Sequence, residues 1–322
     1  MIAIYVILLP FILACTLWSA GALYFDAGRR SGWGVFLACV WILAILAVFY
    51  FITPISYALL IFGGLFGLLL AWWFSQRPTN DRDWDPNFAK LAELSIEGDE
   101  VTITNIRHTR YRSLEDYDCQ WETRVLRLSD LKSADVMILY WGSDAMCHPS
   151  ITFDFGNGDL INISIEVRCS KNESFGVLKG FYRQNELMYV VSDERDAILR
   201  RTKYDTGNDI YLYRIQNSPA AIRTLFDEFM RETNRLVHHP RWYHTITANC
   251  TTSIFWQRRG EVPWDWRMLF NGKFDELLYE WERLYQGLPF SELRKRSHIN
   301  EVANQADYDR FSQSIRENLP GY

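Results

Sequence analysis

A cysteine opens a predicted helix in the run Asn249-Cys250-Thr251-Thr252. The residues from Ile246 onward are rich in β-branched and hydroxyl side chains, which favour a turn or helix cap over a helix interior. Ile254, Phe255 and Trp256 then follow as apolar anchors. A thiol at a helix N-terminus feels the positive end of the helix dipole, which favours the nucleophilic thiolate. The alternative is a buried structural cysteine that does no chemistry.

A histidine far upstream is the candidate base for this thiol. Side chains alternate along a strand, so His148 lies opposite the apolar face formed by Ile151, Phe153 and Phe155. After the turn Gly156-Asn157-Gly158, the next strand alternates in the same way, with Asn162, Ser164 and Glu166 on its polar face. If both apolar faces enter one core, His148 shares a surface with these three residues. A base oriented by a hydrogen-bonding neighbour suits a cysteine nucleophile, whereas the alternative is a solvated sheet face.

The remaining histidines and cysteines supply no stronger pattern. His244 is nearer to Cys250 in sequence and is the rival base, although its place in a loop favours a structural role. No zinc spacing, phosphate loop or dinucleotide fingerprint is present, so we expect no metal and no cofactor. If the soluble region is extracytoplasmic, two of Cys119, Cys147 and Cys169 are able to form a disulfide, but the sequence does not specify which.

Three apolar runs near the amino terminus predict a membrane anchor over residues 1–76. Ile2–Tyr24, Val35–Ile52 and Ile55–Phe74 are each long enough to span a bilayer, and Trp72 and Trp73 close the third as an interfacial belt. Arg29 and Arg30 lie between the first two spans, and by the positive-inside rule they favour a cytoplasmic loop. That rule alone places the large soluble region inside the cell.

The chain after Arg77 is soluble in character, and its pattern predicts an α+β fold. A polar linker at 79–86 leads to alternating strand segments, and Ser218-Pro219 caps a longer amphipathic helix. We expect a folded domain over residues 77–260 and a helical extension over residues 261–322. The 34 Lys and Arg are balanced by 39 Asp and Glu, with no basic stripe, so nucleic acid is not an expected partner.

Several motifs in order resemble the Lnb-type periplasmic domain family, which includes bacterial lipoprotein N-acyltransferases. They are RPTNDRDWDP, TITNIRHTRY, YWGS, the His148 hairpin with ISIEVR, GFYRQNELMYVVSDERD and PRWYHTITANCTT, and they cover about Arg77 to Phe255. The resemblance implies a papain-like cysteine fold in permuted order, similar to lecithin retinol acyltransferase and NlpC-type enzymes. It further implies His148 as base, Cys250 as nucleophile and Glu166 as third residue, with Asn162 or Ser164 as alternatives for that third place. Asn249, Ser164 and Thr251 are the expected supporting residues.

The resemblance also implies where the protein acts and on what. The family domain is periplasmic, so the expected location is the bacterial inner membrane with the large domain outside, against the Arg29-Arg30 signal. The expected function is transfer of a fatty acyl chain from phospholipid, through a Cys250 thioester, to an amine such as a lipoprotein N-terminus. Two alternatives are a cysteine peptidase or amidase acting on cell-wall peptide, and a non-catalytic membrane protein that binds lipid or a partner.

Overall fold

The computed structural model describes residues 2–28, 32–156, 158–171, 173–257 and 263–322. Among them, the side chains of residues 2–7 and 255–257 are not described. Four predictions therefore concern parts of the chain outside the described residues. These are the Arg29-Arg30 loop, the central residue of the turn at Asn157, the anchoring side chains of Phe255 and Trp256, and the boundary between residues 260 and 261.

The chain forms two compact units. The first, called here the anchor unit, comprises Met1–Thr79, Ser174–Glu186 and Trp242–Thr245. The second, called the sheet unit, comprises Asn80–Glu173, Leu187–Arg241 and Ile246–Tyr322. The predicted division at residues 76 and 260 stays a prediction.

The anchor unit contains three long helices, α1 (Ile2–Ala22), α2 (Gly34–Phe51) and α3 (Ile55–Ser75). A π-helical turn, Leu23–Ala27, extends α1. The stretches Leu8–Ala27, Gly34–Phe51 and Ile55–Ser75 are long and apolar enough to cross a membrane. Many of their large apolar side chains are exposed, as in Leu43, Leu60 and Leu68, because these residues have no protein core to enter. These helices indicate membrane association.

The sheet unit is built on an eight-stranded mixed sheet in the order β1-β2-β7-β6-β5-β4-β8, with β3 paired to the other side of β2. Most pairs are antiparallel, and β2 with β7 is parallel. The strands are β1 (Glu93–Glu97), β2 (Glu100–Tyr111), β3 (Tyr117–Arg127), β4 (Ser133–Tyr140), β5 (Cys147–Asp154), β6 (Leu160–Arg168), β7 (Glu186–Asp193) and β8 (Asp209–Arg214).

Helices cover both faces of this sheet. They are α4 (Glu194–Leu199), α5 (Pro219–His238), α6 (Cys250–Gln257), α7 (Phe274–Glu280), α8 (Phe290–Arg296), α9 (Asn300–Gln305) and α10 (Phe311–Ser314). On one face, Phe153 of β5 packs edge-on against Phe226 of α5 at 5.2 Å between ring centroids. On the other, Met137 and Leu139 of β4 join an apolar cluster with Ile198 of α4 and Phe311 of α10.

The observed elements confirm the α+β class, and two local differences have physical causes. Strand β3 was not predicted, because only Leu126 of its side chains is buried and the strand carries little apolar alternation. Within the predicted helical extension, the apolar pattern from Phe274 to Tyr285 favours one continuous helix, but the helix ends at Glu280. Two residues further, Glu282 adopts a φ of 56°, a conformation incompatible with a continuing helix.

Candidate active site

The N-terminus of α6 is held by the Asn249 side chain. Its Oδ1 accepts hydrogen bonds from the backbone N–H groups of Thr251 (3.0 Å) and Thr252 (2.7 Å), and from the Thr252 hydroxyl (2.9 Å). In return, Thr252 Oγ1 accepts the Asn249 N–H at 3.1 Å. This reciprocal cap satisfies donors that would otherwise be orphaned at a helix start. It makes Cys250 the first helical residue.

His148 is the second residue of β5 and is buried, with 6 % of its surface exposed. The register pairs Ser150 with Ser164 and Thr152 with Asn162, so the polar faces of β5 and β6 coincide. Ser150, Thr152, Asn162 and Ser164 are all buried, since α6 packs against both strands and α4 against β6. The surface carrying His148 is therefore an interior polar layer, rather than a solvated sheet face.

The His148 ring has defined partners. Its Nε2 lies 2.7 Å from Ser164 Oγ and 3.1 Å from Glu166 Oε1. Ser164 Oγ in turn donates its single proton to Glu166 Oε1 at 2.7 Å. Because the Ser164 hydroxyl proton is used in the bond to Glu166, the contact between Ser164 and His148 requires that His148 Nε2 carries a proton and donates it. In the neutral ring, the other nitrogen, Nδ1, then carries no proton and is able to accept a hydrogen bond.

The Cys250 side chain interacts with the His148 ring, and this interaction together with the Glu166 charge acts on the His148 pKa. Burial alone lowers the pKa, but the Glu166 carboxylate and the Cys250 contact outweigh it and raise the pKa of His148 to about 10. A ring with this pKa holds an added proton at neutral pH. The raised pKa therefore favours the protonated ring, which suits a group that is to accept a proton and later return it.

Glu166 is fixed from its other side by an arginine that sequence reasoning missed. Arg201 Nη2 donates to Glu166 Oε1 at 2.7 Å, and its Nη1 donates to the Ala197 carbonyl at 2.9 Å. Burial opposes the charged carboxylate, yet protonated His148 and Arg201 keep the pKa of Glu166 well below its usual range. Arg201 lies in the π-helical turn Arg200–Tyr204 that follows α4. Nothing in its local sequence distinguishes it from the neighbouring arginine.

Asn271 is a second residue that the sequence did not single out. Its Nδ2 donates to the Cys147 carbonyl (2.7 Å) and to Thr251 Oγ1 (2.6 Å), while its Oδ1 accepts the Cys147 N–H (3.0 Å). It thereby joins the start of β5, next to His148, to the start of α6, next to Cys250. Both Nδ2 protons are engaged, and Nδ2 lies 4.0 Å from Cys250 Sγ, so the amide positions these two elements.

Thr251 and Trp141 complete the surroundings of the pair. Thr251 is fully buried, and its Oγ1 lies 3.7 Å from Cys250 Sγ. The Trp141 ring is tilted against the His148 ring at 6.0 Å between centroids, and half of its surface is exposed. The histidine therefore has an apolar, solvent-accessible neighbour.

Two of the candidate residues do not join His148. Asn162 directs its Nδ2 to Ser150 Oγ and Thr152 Oγ1, both at 3.0 Å, farther along the same face. His244 belongs to the anchor unit, where it packs edge-on against Phe181 at 5.7 Å and burial lowers its pKa. Of the three candidates for the third place, the structure brings Ser164 and Glu166 to the imidazole.

The cysteines other than Cys250 and the metal-binding side chains have no comparable arrangement. All six cysteines are free thiols, so Cys119, Cys147 and Cys169 form no disulfide here. Cys147 is buried, and its Sγ donates to the Asn271 carbonyl at 3.0 Å. Within the described ranges, no group of three or more His, Cys, Asp or Glu side chains is placed to hold a metal ion.

Comparison with known proteins identifies one family. Residues 117–272 match the model of the Lnb N-terminal periplasmic domain, which confirms the resemblance inferred from the motifs. The matched region contains His148, Glu166, Cys250 and Asn271. No curated protein and no solved structure matches the chain significantly.

Proposed function

We propose, from the membership of residues 117–272 in the Lnb N-terminal periplasmic domain family, that this membrane protein is a cysteine acyltransferase. It would take a fatty acyl chain from a phospholipid and pass it to an amine such as a lipoprotein N-terminus. The observation that carries the proposal is the Cys250–His148–Glu166 arrangement at a capped helix start. The order of histidine on an early strand and cysteine on a later helix is consistent with a permuted papain-like fold, which forms part of the proposal.

The location follows from the same premise. The family domain is periplasmic, and the three apolar helices are suited to span the membrane. We propose three spans in the bacterial inner membrane with the sheet unit in the periplasm. The spans anchor the enzyme in the bilayer that contains both the phospholipid donor and a lipid-anchored acceptor.

The first half-reaction forms a thioester. His148 accepts the Cys250 proton, and the Cys250 sulfur attacks the ester carbonyl carbon of the phospholipid. The Cys250 N–H at the helix start is available to stabilise the oxyanion, with Asn249 holding the turn in place. The carbon–oxygen ester bond then breaks, and His148 returns its proton to the departing lysophospholipid oxygen. Glu166, fixed by Ser164 and Arg201, stabilises the positive charge on the ring between these steps.

The second half-reaction releases the acyl chain. An uncharged amine attacks the thioester carbonyl, the carbon–sulfur bond breaks, and His148 takes the amine proton. The products are an amide and the regenerated cysteine. Water competes with the amine at this step, so an apolar approach to the thioester favours transfer over hydrolysis. The half-exposed Trp141 beside His148 supports a lipid chain over a polar cell-wall peptide.

Intact-mass analysis of the full-length protein tests this function. The protein is purified from membranes, incubated with phospholipid of defined acyl length, and then given an amine-bearing lipopeptide. We expect a mass increase equal to one acyl chain that is absent in Cys250→Ser and is discharged by the lipopeptide. Cys119→Ser is the matched control, and it should gain the acyl chain to the same extent as the wild-type protein. No adduct from phospholipid, combined with cleavage of peptide amides, would instead support the peptidase alternative.

A further inference from the structure

We propose that the segment Ser174–Glu186 is an interfacial loop that binds the lipid bilayer through Phe175, Val177 and Leu178. This segment belongs to the anchor unit, although it lies between strands β6 and β7 in sequence. The inference rests on the proposed membrane insertion of the apolar helices and goes beyond the acyl-transfer activity. It assigns a lipid contact to a part of the chain outside the spans.

The loop is attached to the ends of two candidate spans. Gln184 Nε2 donates to Asp26 Oδ1 at 2.6 Å, and Trp73 Nε1 donates to Asp26 Oδ2 at 2.8 Å. Arg183 Nη1 donates to the Gln76 carbonyl at 2.6 Å, and its guanidinium lies 4.0 Å from the Trp73 ring centroid. These contacts hold the loop beside the carboxyl ends of the first and third spans, near Ala27 and Ser75.

Aromatic stacking strengthens the same attachment. The Tyr182 ring stacks on Phe25 at 4.9 Å between centroids and on Trp18 at 6.5 Å. Tyrosine and tryptophan side chains concentrate at the boundary between lipid and water, because one part of each ring system is apolar and the other polar. The attached end of the loop is therefore at the depth of the bilayer interface.

The tip of the loop exposes apolar side chains in spite of this attachment. Leu178 has 70 % of its surface exposed, Phe175 45 % and Val177 44 %. Three exposed apolar residues within four positions form a patch that differs from scattered surface leucines. Because the segment is held at the membrane interface, these apolar side chains are able to insert into the lipid, as the apolar faces of amphipathic membrane-surface helices do.

The backbone of the tip is internally bonded, so the exposed side chains are held outward by structure. Thr245 Oγ1 donates to the Val177 carbonyl at 2.9 Å, and the Thr245 N–H donates to the Gly180 carbonyl at 2.9 Å. The Gly180 N–H donates to the Gly176 carbonyl at 3.1 Å. Because these carbonyls and the Gly180 N–H are hydrogen-bonded within the protein, the tip brings fewer unpaired polar groups to the lipid interface.

Photocrosslinking in a bilayer tests the inference. The photoreactive amino acid benzoylphenylalanine is placed at position 178 of the full-length protein, which is reconstituted in vesicles of phosphatidylethanolamine and phosphatidylglycerol. The matched control places it at position 125, because Val125 is an exposed apolar residue on β3 of the sheet unit. A Cys250→Ser background excludes acyl-enzyme adducts, so the result does not depend on the proposed activity.

We expect an intact-mass increase equal to one phospholipid after illumination at position 178, at least tenfold above the yield at position 125. Equal yields at the two positions, or no lipid adduct at position 178, would overturn the proposal. Crosslinking of position 178 to a protein in place of lipid would likewise overturn it. Both replaced side chains are exposed, and unchanged melting temperatures confirm that the two proteins are folded.

Discussion

At the scale of single residues, one carboxylate oxygen organises the site. Glu166 Oε1 lies within 3.1 Å of three hydrogen-bonding partners, which are His148 Nε2, Ser164 Oγ and Arg201 Nη2. Its charge is the main factor that raises the His148 pKa against the effect of burial. Because Arg201 offsets part of that charge, the acidity of the ring depends on the balance between a carboxylate and a guanidinium.

Replacing Glu166 by glutamine tests this balance. The departing alcohol needs a protonated His148, so acyl-enzyme formation falls as pH rises through the His148 pKa of about 10. In Glu166→Gln the ring loses its anion and faces an unneutralised Arg201. We therefore expect the alkaline limb of the pH–rate profile to move to lower pH. The rate of Cys250 acylation measures it, with Glu97→Gln on the exposed edge of β1 as control. An unmoved alkaline limb would remove Glu166 from the proposed role.

The stability of the folded protein should follow the same pKa shifts. The His148 pKa is raised on folding, so its contribution is complete below the unfolded value near 6.5 and is lost as pH rises through about 10. The Glu166 pKa is lowered, so its contribution is present above the ordinary value near 4.5 and is lost as pH falls through the folded value. We expect the melting temperature of His148→Gln to decline less than wild type between about pH 7 and about pH 10. Parallel curves for wild type, His148→Gln and the exposed-histidine control His239→Gln would contradict this.

At the scale of elements, the site depends on the start of one strand and the start of one helix. Strand β5 carries His148, helix α6 carries Cys250, and Asn271 hydrogen-bonds residues adjacent to both. Asn249 then determines where α6 begins. Small shifts of either element change the sulfur–imidazole geometry, and a displacement of about 1 Å can reduce a rate about a hundredfold.

The cap is tested by Asn249→Ala and Asn249→Asp. Alanine removes the acceptor for the Thr251 and Thr252 N–H groups, which should cost about 1 kcal/mol of stability and slow alkylation of Cys250. Aspartate retains the acceptor and should preserve the fold. Chemical denaturation and thiol alkylation followed by mass provide the two readouts. If alanine leaves both unchanged, the cap does not set the position of Cys250.

The positioning role of Asn271 is tested by Asn271→Ala. We expect kcat to fall by about a hundredfold with little change in KM, because the amide aligns the reacting groups without being the sulfur's own hydrogen-bond partner. Gln313→Ala, in the C-terminal helix α10, is the matched amide control. A loss confined to KM would point instead to substrate binding by Asn271.

At the scale of the whole molecule, two signals for orientation disagree. Arg29 and Arg30 favour a cytoplasmic first loop, whereas the family of residues 117–272 is periplasmic. With three spans, the first loop and the region after α3 share one side of the membrane. A periplasmic domain combined with three spans would place the Arg29-Arg30 loop in the periplasm, against the positive-inside rule.

Reporter fusions test this orientation together with the number of spans. Alkaline phosphatase fused after Tyr322 should be active, because it folds only outside the cytoplasm, and green fluorescent protein at the same position should be dark. After Thr53, between the second and third candidate spans, the pattern should reverse. The same pattern at both positions would exclude three spans.

The sequence by itself determined the features that follow from local backbone geometry. The apolar runs predicted the long helices of the anchor unit, and period-two alternation placed His148 with Ser164 and Glu166. The run of β-branched and hydroxyl residues from Ile246 to Thr252 predicted a cap or turn where Cys250 opens α6. Each of these is encoded within a few residues, or within one hairpin whose register is set by burial of one face.

The tertiary structure alone decided which distant groups complete the site and what covers it. Arg201 hydrogen-bonds Glu166, and Asn271 hydrogen-bonds Cys147 and Thr251. Both residues lie in turns that carry no distinguishing local sequence pattern. Burial of the polar sheet face under α4 and α6 was likewise invisible, because residue alternation specifies two faces and does not specify what packs on each. The His148 pKa depends on these long-range contacts, since it is set by the distances between charges and by their burial.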